Sequence, residues 1–299
     1  MPTITLEQGD VVIVDDTFEH FTRTIGAHLS VAGGLTKGVD RAVAIGANGL
    51  QIFAGSPRSW QPKPINETEL QEFQNYAQKY NIRDIFIHAL YLVNLASENT
   101  EIVQKSKNSL INNLKIGKYF ECSGVVVHLG SHLGRGWEAV RENVALLISQ
   151  IIDESGTDVP FLIENSAGQQ GKLSSDLAEI RWLIDKVNRP TLGWCYDTCH
   201  GWAAGYSPTQ GRDLFTDIEK YNLWPYLHCL HVNDSRDGLG SGRDRHDNIG
   251  EGNLPQKDLS LILNHPHATK IPIITEAPGF DSNGPDKENI TRISRLLIE

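Results

Sequence analysis

Two kinds of segment alternate along the chain. Short apolar runs, rich in β-branched and aromatic residues, occupy positions 24–28, 50–53, 85–88, 125–128, 161–164, 192–197, 228–231 and 271–276. Such runs read as buried strands. Between them the apolar residues recur at spacings of three and four, the period of a helix with one buried face. Leu35, Val39, Ala42 and Val43 mark the first such face, and Leu70, Phe73 and Ala77 the second. The second is entered at Asn66 with Glu69 three residues on, which predicts a capping box. Further faces run through Leu110 and Leu114, Val144 and Ile148, Ile180 and Ile184, Leu214 and Ile218, Leu259 and Ile262, and Ile290 and Ile293. Successive strand starts lie about 25–45 residues apart, which suits strand-plus-helix units better than a sandwich. Eight such units predict an α/β fold, a single (β/α)8 TIM barrel over residues 24–299. An open doubly wound sheet is the competing topology, but no GxGxxG follows the first strand to support its dinucleotide-binding version. Residues 1–23 precede the first unit as an N-terminal extension.

The composition, 39% hydrophobic and 21% charged over 299 residues, excludes disorder, collagen and a disulfide scaffold. Four cysteines, Cys122, Cys195, Cys199 and Cys229, are few for this length and read as reduced thiols in a cytoplasmic, intracellular setting. Cys195 and Cys199 read as packing residues. The N-terminus has no basic leader, and no apolar window reaches the roughly 18 residues of a membrane span, so no membrane partner is expected. Lys and Arg total 27 against 37 Asp and Glu, a formal charge of −10. That balance argues against a phosphate-backbone partner unless bound cations reverse the local field.

The candidate chemistry is positional. Strand after strand ends in a possible metal ligand: His28, His88, His128, Glu164, Asp197, His231 and Glu276. A TIM barrel gathers the C-terminal ends of its strands at one mouth, so these side chains are expected to converge. Two loops add to them. Asp197 leads to His200, and a Gly-rich loop after His231 ends in Arg243-Asp244-Arg245-His246-Asp247. In an extended loop Asp244 and His246 point one way while Arg243 and Arg245 point the other. Any one of these groups alone is more simply a hydrogen-bonded histidine, a helix cap or a solvated acid. Together they exceed what ion pairing explains, because buried polar groups must be paired or coordinated. The set holds nitrogen and oxygen donors without a thiolate pair, which suits Zn2+, Mn2+ or a mixture. It is too large for one tetrahedral site, so two or three ions are expected. Such clusters serve phosphoryl hydrolysis. No GxSxG elbow is present to suggest a serine nucleophile instead.

These motifs resemble the endonuclease IV family of DNA-repair enzymes (AP endonuclease family 2). The likeness runs from residue 24 to about 297. It is carried by Gly26-Ala27-His28-Leu29-Ser30, Gln51-Ile52-Phe53 with Arg58-Ser59-Trp60, His88-Ala89-Leu90-Tyr91-Leu92-Val93-Asn94-Leu95 and Val127-His128-Leu129-Gly130-Ser131-His132. Leu162-Ile163-Glu164-Asn165-Ser166-Ala167-Gly168, Asp197-Thr198-Cys199-His200, His231-Val232-Asn233-Asp234-Ser235, Asp244-Arg245-His246 and Ile274-Thr275-Glu276 continue it. The resemblance implies three Zn2+ per chain, with Mn2+ an option at one position. It places the first on His88, His128 and Glu164. The second takes Glu164 as a bridge with Asp197, His231 and Glu276, and the third takes His200, Asp244 and His246. His28 is left as a neighbour outside the ligand set.

The implied activity is zinc-dependent hydrolysis of the phosphodiester 5′ to an abasic site in base excision repair, and removal of blocked 3′ ends. Attack comes from a hydroxide bridging two of the ions, with Glu164 as the catalytic carboxylate that orients it. The implied partner is double-stranded DNA with abasic or 3′-blocked lesions, bound by a monomer, with Arg58, Tyr91 and Leu92 as the DNA-contacting residues. Three divalent ions would move the formal charge of −10 to about −4. Arg58, Lys63, Lys172, Arg236, Arg243 and Arg245 lie in strand-end loops, where they are expected to make the mouth positive on an acidic body. The competing reading is a sugar isomerase or epimerase on a similar barrel. The third ligand set and the Arg58 and Tyr91 loops distinguish the two, because a small sugar needs neither.

Overall fold

A computed structural model describes residues 3–5, 11–13, 22–60 and 66–298. Eight parallel strands close into a barrel. They are β1 (Ile25–His28), β2 (Gly49–Phe53), β3 (Asp84–His88), β4 (Gly124–Val127), β5 (Phe161–Glu164), β6 (Leu192–Asp197), β7 (Leu227–His231) and β8 (Ile273–Thr275). Each pairs with its sequence neighbour, and β8 pairs with β1 to complete the ring. Between and after them lie α1 (Thr36–Ala44), α2 (Glu67–Lys79), α3 (Thr100–Phe120), α4 (Trp137–Ser155), α5 (Leu177–Val187), α6 (Thr198–Ala203), α7 (Leu214–Lys220), α8 (Gln256–Leu263) and α9 (Lys287–Leu296). The fold is the single (β/α)8 barrel that the periodicity predicts.

Six of the nine helices among the described residues start where an Asn or Asp side chain satisfies their free amides. Asn66 accepts from the amides of Thr68 and Glu69 at the start of α2, and Asn99 does the same for Glu101 and Ile102 in α3. Their apolar faces then bury Phe73, Leu110, Leu114, Val144, Ile148 and Ile180 against the outside of the sheet.

A second, smaller apolar cluster fills the barrel: Phe86, Val126, Leu162, Cys195, Cys229 and Ile274. Each is fully buried, and a side chain such as Phe86 contributes about 1.5–3 kcal/mol by leaving water. Two residues further along each strand the same face continues with His88, His128, Glu164, Asp197, His231 and Glu276. A side-chain period of two therefore converts an apolar floor into a polar mouth. Cys195 belongs to that floor, as its packing role requires.

On β1 and β2 the floor positions are Gly26 and Gly49, which pair in register. A Cβ on Gly26 would stand 2.5 Å from the carbonyl carbon of Gly49. This close approach leaves room in the interior for the larger groups opposite.

Several strand boundaries differ from expectation by one or two residues. β4 ends at Val127 and β8 at Thr275, so His128 and Glu276 stand one residue beyond the ladder and are free to turn inward. β8 also starts later than residue 271, because Pro272 has no amide to donate. Thr3–Thr5 pairs antiparallel with Val11–Ile13, while the rest of residues 1–21 lies outside the described residues, as does Lys63. Arg23, the last residue of the expected extension, donates to the carbonyls of Ile271 (2.7 Å) and Leu263 (2.8 Å) and so is tied to the barrel. No helix among the described residues is long and apolar enough to cross a membrane.

Candidate metal centre at the barrel mouth

Glu164, at the end of β5, is the hub. Its side chain is buried and lies between four imidazoles. Oε2 is 3.3 Å from His88 Nε2 and 3.1 Å from His128 Nε2. Oε1 is 3.0 Å from His231 Nδ1 and 3.3 Å from His200 Nδ1. Asp197 Oδ2 reaches toward His231 Nδ1 (3.9 Å) and His246 Nε2 (3.5 Å), and Glu276 Oε2 lies 3.5 Å from His231 Nδ1. Asp244 Oδ1 is 3.0 Å from His200 Nε2 and 3.7 Å from His246 Nε2. All nine residues expected as ligands therefore meet at one place.

Ligand atoms within 4.8 Å of one another form four groups among the described residues. Two are His88, His128 and Glu164, and Glu164, Asp197, His231 and Glu276. The third is Asp197, His200 and His246; here Asp197 stands where the sequence reading has Asp244, which faces His200 from the other side. A fourth group, Cys195, Cys229 and His231, lies where the floor meets the mouth.

The outer partners of the imidazoles fix which nitrogen faces inward. His88 Nδ1 donates to the carbonyl of Ala89 (2.7 Å) and His200 Nδ1 to that of Asn165 (3.0 Å), leaving Nε2 of each toward the carboxylates. His231 is held the other way, with Nε2 2.9 Å from Gln51 Oε1. His128 Nδ1 is buried without a partner, as are Nε2 of His200 and of His246 by hydrogen-bond geometry. Orphaned imidazole nitrogens beside buried carboxylates are the donor set of a cation site, and the N and O donors of the three groups outside the cysteine floor fit zinc or manganese.

The electrostatics agree. Burial opposes charge on His231 and His200, yet Glu276 and Glu164 raise the first well above its ordinary value, and Asp197 and Asp244 raise the second. Burial would raise Glu164 as well, but His128 and His231 hold it well below the carboxylate range. His128 is pushed down to about 4, chiefly by burial. Carboxylates and imidazoles that share one buried space thus shift one another strongly.

Short loops carry the third set. Asp197 caps α6 by accepting from the His200 amide (2.8 Å), so it is a helix cap and a site carboxylate at once. α6 was not foreseen in the sequence, yet it is what turns His200 inward. Asp234–Ser235 pairs antiparallel with His246–Asp247. The parity expected of the Gly-rich loop holds: Asp244 and His246 face the site, while Arg243 and Arg245 turn away to Asp237.

Four residues that the sequence reading left without a role position the site. Asn233 donates to Asp197 Oδ2 (2.7 Å) and accepts from the Glu276 amide (2.7 Å). Asn165 ties the end of β5 to the Asp197 backbone. Asp234 receives four backbone amides, and Gln51 bridges two candidate ligands. A polar residue at an inward position of an apolar strand was the one available signal, and it singles out Gln51.

Above the cluster opens a cavity of about 1140 Å3 lined by His28, Phe53, Arg58, Tyr91, His128, His246 and Glu276, among others. Arg58 is exposed at its rim. Tyr91 is 63% exposed although its ring rests on Phe53, and Leu92 beside it is also exposed. The expected basic mouth is weaker than the sequence suggested. Lys172 is matched by Asp244, Arg236 by Asp247, and Arg243 and Arg245 by Asp237. His28 lies 2.6 Å from Glu276 through Nδ1, beside the ligand groups but outside them.

A family model described as a xylose isomerase-like TIM barrel (AP_endonuc_2) matches residues 39–298. The chain is 36% identical over 275 residues to the probable endonuclease 4 of Halothermothrix orenii, a match covering 91% of this chain and 99% of that one. Among solved structures it is similar to endonuclease IV from Thermus thermophilus, with a TM-score of 0.80, 30% identity, and 91% and 98% of the two chains covered. A D-tagatose 3-epimerase-like protein shares the fold alone, at 17% identity and a TM-score of 0.63 over 91% of this chain and 95% of that one.

Proposed function

The chain belongs to the AP_endonuc_2 family, with the endonuclease IV proteins, and from that premise we propose that it is a zinc-dependent apurinic/apyrimidinic endonuclease of DNA repair. It hydrolyses the phosphodiester 5′ to an abasic site and removes blocked 3′ ends, with residues 24–299 as the active domain and residues 1–23 as an extension. The observation that carries this reading is the meeting of eight His, Asp and Glu side chains in contiguous ligand groups, with Asp244 beside His200 and His246, beneath a cavity rimmed by Arg58 and Tyr91. A sugar epimerase has no use for His200, Asp244 and His246 as a further set.

His88, His128 and Glu164 would hold one ion, Glu164, Asp197, His231 and Glu276 a second, and His200, Asp244 and His246 a third, one position taking Mn2+ where it is available. Bound ions would supply a water of lowered pKa and positive charge on the phosphate oxygens. The chain's own groups do the rest. Glu164, shared between ligand groups, orients the attacking water. Lys172, 3.2 Å from Asp244 Oδ2, holds that carboxylate in place beside His200. Arg58, Tyr91 and Leu92 enter the duplex as wedges and fill the gap left when the lesion turns out. An abasic nucleotide has no base pair to lose on flipping, which lowers the cost at the damaged site relative to intact DNA.

The test is incision of a duplex carrying one tetrahydrofuran abasic analogue. Cleavage 5′ to the analogue, with the matched undamaged duplex intact, is the expected result. An intact analogue strand from zinc-loaded protein, or equal cutting of both duplexes, contradicts the proposal.

A further inference from the structure

Gln51 is completely buried on β2, with its amide between two of the candidate ligands. Its Nε2 is 2.7 Å from Glu276 Oε1, and its Oε1 is 2.9 Å from His231 Nε2. A carboxylate can only accept, so the amide nitrogen must face Glu276. The amide oxygen then faces His231 and can only accept, so His231 Nε2 must carry a hydrogen. The remaining nitrogen, Nδ1, is left to present its lone pair to an ion once deprotonated. It is also the nitrogen that faces Glu164 Oε1 (3.0 Å) and Glu276 Oε2 (3.5 Å). Glu276 is sorted in the same way. Its Oε1 is taken by Gln51 and by His28 Nδ1 (2.6 Å), which leaves Oε2 turned to the site.

We propose that Gln51 is a positioning residue for the second metal ion, selecting the Nδ1-coordinating tautomer of His231 and the Oε2-coordinating pose of Glu276 through one amide. The role rests on the function proposed above. It is confined to one ion, because among the described residues the Gln51 side chain hydrogen-bonds to neither the His200–Asp244–His246 set nor His88 and His128. Outer partners of metal ligands characteristically change affinity about 10–100-fold when removed.

The test uses Gln51→Met, which keeps length and bulk and removes both hydrogen-bonding groups, beside Gln51→Glu, which keeps an acceptor toward His231 but sets a second carboxylate against Glu276. Zinc content and stepwise affinity are measured by chelator competition on full-length protein. Wild type is expected to hold its ions, and each variant to lose affinity about 10–100-fold for one ion only. A direct readout is the imidazole proton spectrum of zinc-loaded protein. His231 should show a slowly exchanging Nε2–H in wild type that is lost or fast-exchanging in Gln51→Met. Metal-free melting of Gln51→Met near that of wild type separates positioning from folding. Unchanged affinity for every ion with the Nε2–H retained overturns the inference while leaving the function standing. A wild type that binds no ion at these ligands overturns both. Should Gln51→Met fail to fold, Gln51→Glu carries the same comparison, and equal affinity there refutes the role.

Discussion

The third ligand set proposed above depends on how Asp234 holds its loop. Its carboxylate is buried, with Oδ1 accepting from the amides of Ser235 (2.7 Å) and Leu254 (3.0 Å), and Oδ2 from those of Gly250 (2.9 Å) and Gly252 (3.2 Å). These bonds close the loop that carries Asp244 and His246 back onto β7. Asp234→Asn keeps the shape but turns one oxygen into an NH2 group that faces two amide donors. Two bonds to a charged acceptor are lost, each worth about 1.5–3 kcal/mol, and relaxation of the loop returns part of that. The expected cost is about 3 kcal/mol, or roughly 5 °C in melting temperature for a chain of this size. The loop should loosen before the barrel does, because the strands keep their own ladders. Zinc analysis of the variant is therefore expected to show one ion fewer than wild type. Incision of the abasic duplex should fall at least tenfold, while far-ultraviolet circular dichroism stays that of the barrel. A variant with unshifted melting, full zinc content and full incision would refute the idea that this carboxylate holds the third set.

Other consequences are open to measurement. Exhaustive chelation should lower the melting temperature by several degrees and zinc should restore it, since Glu164, Asp197, Asp244 and Glu276 crowd one space; an unchanged melt by differential scanning fluorimetry would contradict this. Arg58→Ala and Tyr91→Ala should weaken binding of the abasic duplex about 10–100-fold, by loss of about 1–3 kcal/mol of stacking or phosphate contact, with metal content unchanged; fluorescence anisotropy equal to wild type would remove both from the interface. Glu179, raised to about 7 by burial despite a bond from the Ser174 amide, binds its proton more tightly in the folded than in the unfolded chain. Stability should therefore fall as pH rises from about 4.5 to 7, by on the order of 2 kcal/mol. Glu179→Gln should then melt above wild type at pH 8 and no higher at pH 4.5, and the reverse order would exclude this linkage.

The barrel was readable because its two periods are written separately along the chain. Apolar runs such as residues 161–164 mark strands, and three-four spacings such as Leu177, Ile180 and Ile184 mark the helices that cover them. The site was readable for a related reason. A strand two residues past the apolar floor must still point inward, so His88, Glu164 and Asp197 declare themselves by parity.

What stayed hidden depends on loops and on partners distant in sequence. α6 is only six residues long and is set by the Asp197 cap rather than by periodicity. Gln51 stands out as a polar residue on an apolar strand, but what it holds is known only from its distances to His231 and Glu276, 180 and 225 positions away. The basic residues of the mouth could be counted from sequence, but their pairing with Asp237, Asp244 and Asp247 could not. Under the proposed function, that pairing shifts the attraction of DNA from a broad positive face toward Arg58 and the ions of the proposed centre.

The most direct test of the whole is a metal titration of stripped protein followed by single-turnover cleavage of a duplex with one tetrahydrofuran site. If the nine candidate ligands form the proposed phosphodiester-cleaving centre, stripped protein takes up three tight equivalents of zinc per chain, with incision appearing only as the last of them binds. Incision by protein holding less than one equivalent, or saturation with three and no incision, would contradict it.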